Sequence, residues 1–157
     1  MKNKQNYIIQ YKVLDPKIGT KFSIPKYATD GSSGLDLVAC INKNMDLVPM
    51  KSILVSTGIA IYISDPSITG IIVPRSGLGH KKGIILGNTV GLIDSDYQGE
   101  LMISVLNRTN KKILIFPGMR IAQIIFVPIL KPIFEIVQTF KKNTHRNING
   151  FGHTGIV

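Results

Sequence analysis

The most constraining feature of this 157-residue chain is what its apolar residues fail to do. Nowhere do they recur with a 3.6-residue period for ten residues, so no long amphipathic helix is available. They come instead in short runs rich in isoleucine and valine: YIIQYKVL, GLDLVAC, SILVSTGIAIYI, GIIVP, GIILG, ELMISVLN, KILIF, RIAQIIFVPI and IFEIV. Branched side chains of this kind suit a pleated, buried surface. Turn pairs separate the runs, among them Asp15-Pro16, Asp30-Gly31, Asp65-Pro66, Thr109-Asn110 and Pro117-Gly118. The pattern predicts an all-β fold, a jelly-roll-like sandwich or barrel, with at most one short helical turn after Ser76. No internal repeat or linker divides the chain, and residues 1–157 are expected to form one domain.

Composition narrows the environment. The single cysteine, Cys40, has no partner for an internal disulfide, which points to a reducing compartment. The opening MKNKQNYIIQYKV holds no apolar stretch of signal-peptide length, and no run approaches the ~18 residues of a membrane span. A cytoplasmic protein without membrane contact is expected. The formal net charge is +10, yet fifteen of the nineteen basic residues are lysines, scattered singly or in pairs such as Lys81-Lys82. They are not interleaved with aromatic stacking platforms, so stable nucleic-acid binding is not expected.

Several motifs carry chemistry. In VPRSGLGHKKG, Arg75 offers a planar fork to phosphate oxygens, Ser76 a hydroxyl, and Gly77 a backbone N–H with no Cβ in the way. No GxxxxGK[ST] is present, so a triphosphate here is not held by a P-loop. Three histidines and one cysteine show no zinc spacing. The stretch GNTVGLIDSDYQGE places Asp94 and Asp96 beside apolar Leu92 and Ile93. As turn residues they need no further role, and the segment reads locally as a strand, a tight turn and a second strand. Beyond Glu135 there is no acid; KKNTHRNINGFGHTGIV is polar, basic and Gly-rich, with Phe151 between two glycines. Such a segment, residues 141–157, is expected to be a mobile terminus rather than part of the core.

Five segments together, ATDGSSGLDLVA, VPRSGLG, GNTVGLIDSDYQGE, GMRIAQIIF and RNINGFGHTG, resemble the five ordered motifs of the trimeric dUTPases. The resemblance spans nearly the whole chain. It implies a jelly-roll homotrimer with active sites shared between subunits. The implied reaction is Mg2+-assisted hydrolysis of dUTP to dUMP and pyrophosphate, which limits uracil in DNA and supplies dUMP for thymidylate synthesis. By the same resemblance Asp94 is the catalytic base that acts on water, and Asp36 holds magnesium through its waters. Arg75, Ser76, Gly77 and Gln123 meet phosphate, with Arg120 a structural ion-pair candidate. A hairpin around Asn88, Gly91 and Tyr97, with Met102, takes the uracil and deoxyribose. Arg146, Phe151, Gly152, His153 and Thr154 form the closing tail.

One departure from the family pattern is RNINGFG, where asparagines stand in place of glycines beside the tail arginine. Asn147 and Asn149 tolerate left-handed dihedrals; Ile148 does not. Two alternatives remain on sequence grounds. A dCTP deaminase would share the fold but needs a further catalytic glutamate, and a non-enzymatic sandwich would bind nucleic acid through its lysines.

Overall fold

The computed structural model describes residues 7–142 and 144–150. Ten strands follow in chain order: β1 (Gln10–Val13), β2 (Leu35–Val38), β3 (Met45–Leu47), β4 (Ser52–Tyr62), β5 (Ile68–Val73), β6 (Ile84–Leu86), β7 (Gly91–Ile93), β8 (Glu100–Asn107), β9 (Ile113–Ile115) and β10 (Arg120–Pro128). A five-residue π-helical turn, Leu78–Lys82, lies between β5 and β6. Two four-stranded sheets, ordered β1-β4-β8-β6 and β2-β10-β5-β7, are joined by a small β3-β9 pair. All strand pairings are antiparallel.

Alternation along the strands decides what is buried. In β8, Leu101, Ile103 and Val105 are buried while Met102 points outward. Leu37 of β2 and Ile121, Ala122 and Ile124 of β10 enter the same core from the other sheet. Fully burying an aliphatic side chain contributes about 1.5–3 kcal/mol, so this shared core is the main source of stability. Among the described residues the one deeply buried side-chain amide, Asn107, is satisfied throughout. It donates to the carbonyls of Leu47 and Lys111 and accepts from the N–H and hydroxyl of Thr109.

Two sequence expectations are corrected by the fold, and one strand goes beyond them. IFEIV, residues 133–137, is not a strand: after the Ile129 N–H bonds the Ser67 carbonyl at 2.8 Å, the chain leaves the sheets and pairs with none of their edges. Ile133, Phe134 and Ile136 are consequently almost wholly exposed. Nor is the segment 87–100 a paired hairpin. β7 adds to β5 and β8 adds to β4, so residues 94–99 arch from one sheet to the other. Finally, β3 is a strand that the chain's short apolar runs did not announce, because only three residues pair with β9.

Candidate active site

Strand β10 lies between β2 and β5, and its register places Gln123 opposite Asp36 on one side and Val73 on the other. In a regular strand Arg120 and Gln123 would face opposite ways. A β-bulge between Arg120 and Ala122 inserts an extra residue, so Ile121 and Ala122 both turn into the core. Arg120 and Gln123 thereby emerge on the same side, a re-aiming that bulges commonly perform.

Asp36 is the hub of this face. Its Oδ1 accepts from Arg75 Nε at 2.7 Å and its Oδ2 lies 3.4 Å from Arg120 Nη1. The three side chains are partly exposed, so these ion pairs orient more than they stabilise; such pairs contribute about 0–1 kcal/mol. Gln123 donates from Nε2 to the Pro74 carbonyl at 3.1 Å, tying β10 to the loop that bears Arg75. Its Oε1 packs against Gly34, where a Cβ would stand 2.6 Å away. Gly34 is therefore required for close approach, a role that the spacing GSSGLD did not reveal.

The loop after β5 is equally constrained. The Gly79 N–H bonds the Arg75 carbonyl at 2.9 Å, closing a helical turn over Ser76 and Gly77. The turn ends at Gly83, whose φ of 68° few side chains adopt and whose N–H returns to the Leu78 carbonyl. Arg108 braces it twice, from Nη2 to the Gly79 carbonyl at 2.8 Å and from its N–H to the Gly83 carbonyl at 3.0 Å. Arg108 carried no motif signal. At Gly77 a Cβ would meet no protein atom within 4 Å, so the space it leaves opens to the cleft. The result is a cleft of about 500 Å3 lined by Asp36, Arg75, Ser76, Gly77 and Gln123 among others.

Asp94 lies elsewhere. Beyond Ile93, which pairs with Gly70, the chain reaches the opposite end of β5. There Asp94 and Asp96 line a second cavity of about 540 Å3 with Thr69, Tyr62 and Lys131. From Thr69 to Arg75 is six residues of near-extended chain, roughly 20 Å. Both acids are exposed. The arch is held by Thr69 Oγ1 donating to the Ile93 carbonyl at 2.8 Å, by the Ile63 N–H on the Ser95 carbonyl, and by the Tyr97 N–H on the Asp94 carbonyl. Tyr97 folds over Gly99, its hydroxyl donating to the Glu100 carbonyl at 2.9 Å.

The segment before β7 is strained. Thr89 has φ 62°, uncommon for a β-branched residue, and its hydroxyl and the Val90 N–H both bond the Asn88 carbonyl. Strain of this kind costs about 1–3 kcal/mol and concentrates at functional sites. Gly91 packs against Ile72, while Met102 lies on the outer face of β8 and does not line the Asp94 cavity. In the tail, Arg146 Nε bonds the Asn149 carbonyl at 3.0 Å, and Asn147 takes the left-handed conformation at φ 46°. Phe151, Gly152, His153 and Thr154 lie outside the described residues. Among the described residues no three of His, Cys, Asp and Glu gather to cage a cation, and no helix is long and apolar enough to cross a membrane.

The fold has counterparts in known proteins. The family model described as dUTPase matches residues 20–155. The deoxyuridine 5'-triphosphate nucleotidohydrolase of Buchnera aphidicola subsp. Baizongia pistaciae is 60% identical over 148 residues, covering 94% of this chain and 97% of that protein. The same-named protein of Wigglesworthia glossinidia brevipalpis is 57% identical over 155 residues, 99% of both chains. Among solved structures, the Staphylococcus bacteriophage 80alpha dUTPase with dUPNHPP superposes with a TM-score of 0.79 at 25% identity, covering 95% of this chain and 99% of that one. A mutant dUTPase from phage phi11 of S. aureus, described with a structural Mg(II) ion, gives 0.75 at 20% identity over 86% and 99%. Matching over most of its length at both levels, the chain belongs to the dUTPase family.

Proposed function

We propose that the two clefts are halves of one active site completed between copies of this chain, in an enzyme that hydrolyses dUTP to dUMP and pyrophosphate. The activity follows from the family and its near relatives. The observation that carries the division of labour is the separation along β5. Arg75 and Asp94 sit at opposite ends of one strand, too far apart to act on a single phosphate within one chain. A homotrimer, in which one copy's phosphate cleft meets another's Asp94 arch, resolves this. The exposed apolar arm from Leu130 to Phe140 supports assembly, since side chains such as Ile133 and Phe134 are left in water by the single chain.

In this arrangement Arg75, the Ser76 hydroxyl and the Gly77 N–H bind the phosphate chain, with Asp36 holding Arg75 in place. The Asn88–Tyr97 segment meets the base and sugar, offering main-chain groups that match uracil. Asp94 orients a water molecule and takes its proton as the water oxygen bonds to the α-phosphorus. The bond from that phosphorus to the bridging oxygen breaks, and pyrophosphate leaves with the electron pair. The exposed Asp94 needs the partner and the tail to exclude bulk water. Arg146, and Phe151 with the residues after it, would close over the nucleotide, holding the terminal phosphate and covering the base.

Asp36 still has unused lone pairs, and Gln123 Oε1 faces the same cleft. One carboxylate and one amide fit Mg2+ that keeps most of its waters and is held mainly by substrate phosphates. Bound there, the ion would neutralise charge on the phosphate chain. A nucleotide panel with pyrophosphate detection, in magnesium and in chelator, tests the reading. dUTP is expected to turn over far faster than dCTP, dTTP or UTP, because a mismatched base leaves buried polar groups unpaired. Equal turnover of UTP and dUTP would remove Tyr97 from the sugar site.

A further inference from the structure

The phosphate cleft has a second wall to which the mechanism assigns no task. Lys26, from the loop before β2, and Lys81 and Lys82, from the π-helical turn, line the same cavity as Arg75, Asp36 and Gln123. Four cations and one carboxylate therefore face it, an excess of three positive charges. The carboxylate, Asp36, is already bonded to Arg75 and Arg120. Among the described residues none of the three lysines has a carboxylate partner, while Lys17, Lys112 and Lys141 each do. Unpaired like charges converging on a cleft raise the local concentration of anions and favour those with the most charge.

The cation types differ in what they can hold. Arg75 is fixed by Asp36 and presents a planar fork; lysines are flexible point charges that follow an anion over several positions. We infer that Lys26, Lys81 and Lys82 form a polyphosphate-retaining wall, which binds inorganic pyrophosphate in its own right and holds it after cleavage. The name of the product rests on the dUTP reading; the binding does not. The wall prefers pyrophosphate to orthophosphate, since a longer anion reaches more of the lysines at once. Pyrophosphate then competes with dUTP for the cleft and its departure slows turnover.

Calorimetric titration of the full chain with inorganic pyrophosphate and with orthophosphate, without nucleotide, tests this directly. The variants are Lys26→Gln, the double Lys81→Gln/Lys82→Gln, and Lys43→Gln, which removes one charge away from the cleft. An exposed cation contact is worth up to about fivefold in affinity, so the double variant is expected to bind pyrophosphate about tenfold more weakly. The inhibition constant of pyrophosphate against dUTP hydrolysis rises in parallel, and Lys43→Gln binds pyrophosphate as the unmodified chain does. Unchanged pyrophosphate affinity in the double variant, or an equal loss in Lys43→Gln, overturns the wall. If dUTP is hydrolysed but pyrophosphate binding is independent of the lysines, the wall falls and the substrate reading stands. If lysine-dependent binding is found without dUTP hydrolysis, the wall stands and the substrate reading falls.

Discussion

The two ends of β5 differ in how far a single chain can complete them. At its C-terminal end, the Arg75 loop is closed by its own backbone, braced by Arg108, tethered to Gln123 and held by Asp36. At its N-terminal end, beyond the outward-facing Leu92, Asp94 and Asp96 are exposed on an arch. On the proposed reading, one half-site is pre-organised within the protomer and the other is completed by a neighbour. Substitutions at the first end should therefore act through geometry inside one chain, and substitutions at the second through chemistry that appears only on assembly.

The largest effect is expected at Asp94. Asp94→Asn keeps the shape and removes the proposed base, so kcat should fall by roughly 10² or more with nucleotide binding retained. Asp96→Asn, at the same exposed arch, should do much less, and single-turnover kinetics on both variants decide between them. If Asp96→Asn proves the more damaging, the arch has been read with the wrong acid.

Ending the chain at Lys142 comes next. Among the described residues nothing beyond Phe126 packs against the core, so circular dichroism and sedimentation should show fold and assembly retained while turnover drops at least tenfold, the scale of lost positioning. Full activity would refute the lid. A truncated chain that no longer assembles would give the tail a structural role.

Smaller losses should follow at the completed end. Gly34→Ala forces the Gln123 amide off its place without touching the core. A several-fold loss of kcat/KM with an unchanged melting temperature is expected. An equal loss of stability would show that Gly34 serves folding. The smallest effect belongs to Thr89→Asn, which keeps the left-handed backbone at lower cost and should raise stability by up to about 1 kcal/mol in urea titration.

Much of this was legible in the amino-acid order. Alternation in GLDLV and ELMISVLN marks the faces of β2 and β8, and the absence of helical period excludes every helical architecture. What was not legible depends on partners distant in sequence. Asp36 meets Arg75 and Arg120 across separations of 39 and 84 residues. The bulge that turns Arg120 and Gln123 to one side is set by the register of β10 against β2, which local periodicity does not encode. IFEIV has the composition of a strand, but a strand needs a partner, and in the single chain this segment pairs with none of the open sheet edges. The segment 87–100 looked like a hairpin because its turn chemistry is local, whereas the choice of different sheets by β7 and β8 is not.

Subunit complementation tests the shared site most directly. Arg75→Ala and Asp94→Asn chains, each inactive alone, are co-expressed in equal amounts and the mixed assemblies purified. If each site takes Arg75 from one copy and Asp94 from another, random mixing leaves about a quarter of the sites with both residues intact, and dUTP turnover returns to about that fraction of the unmodified enzyme. If each chain carries its own complete site, no mixed assembly holds an intact one, and turnover stays at the level of the separate variants.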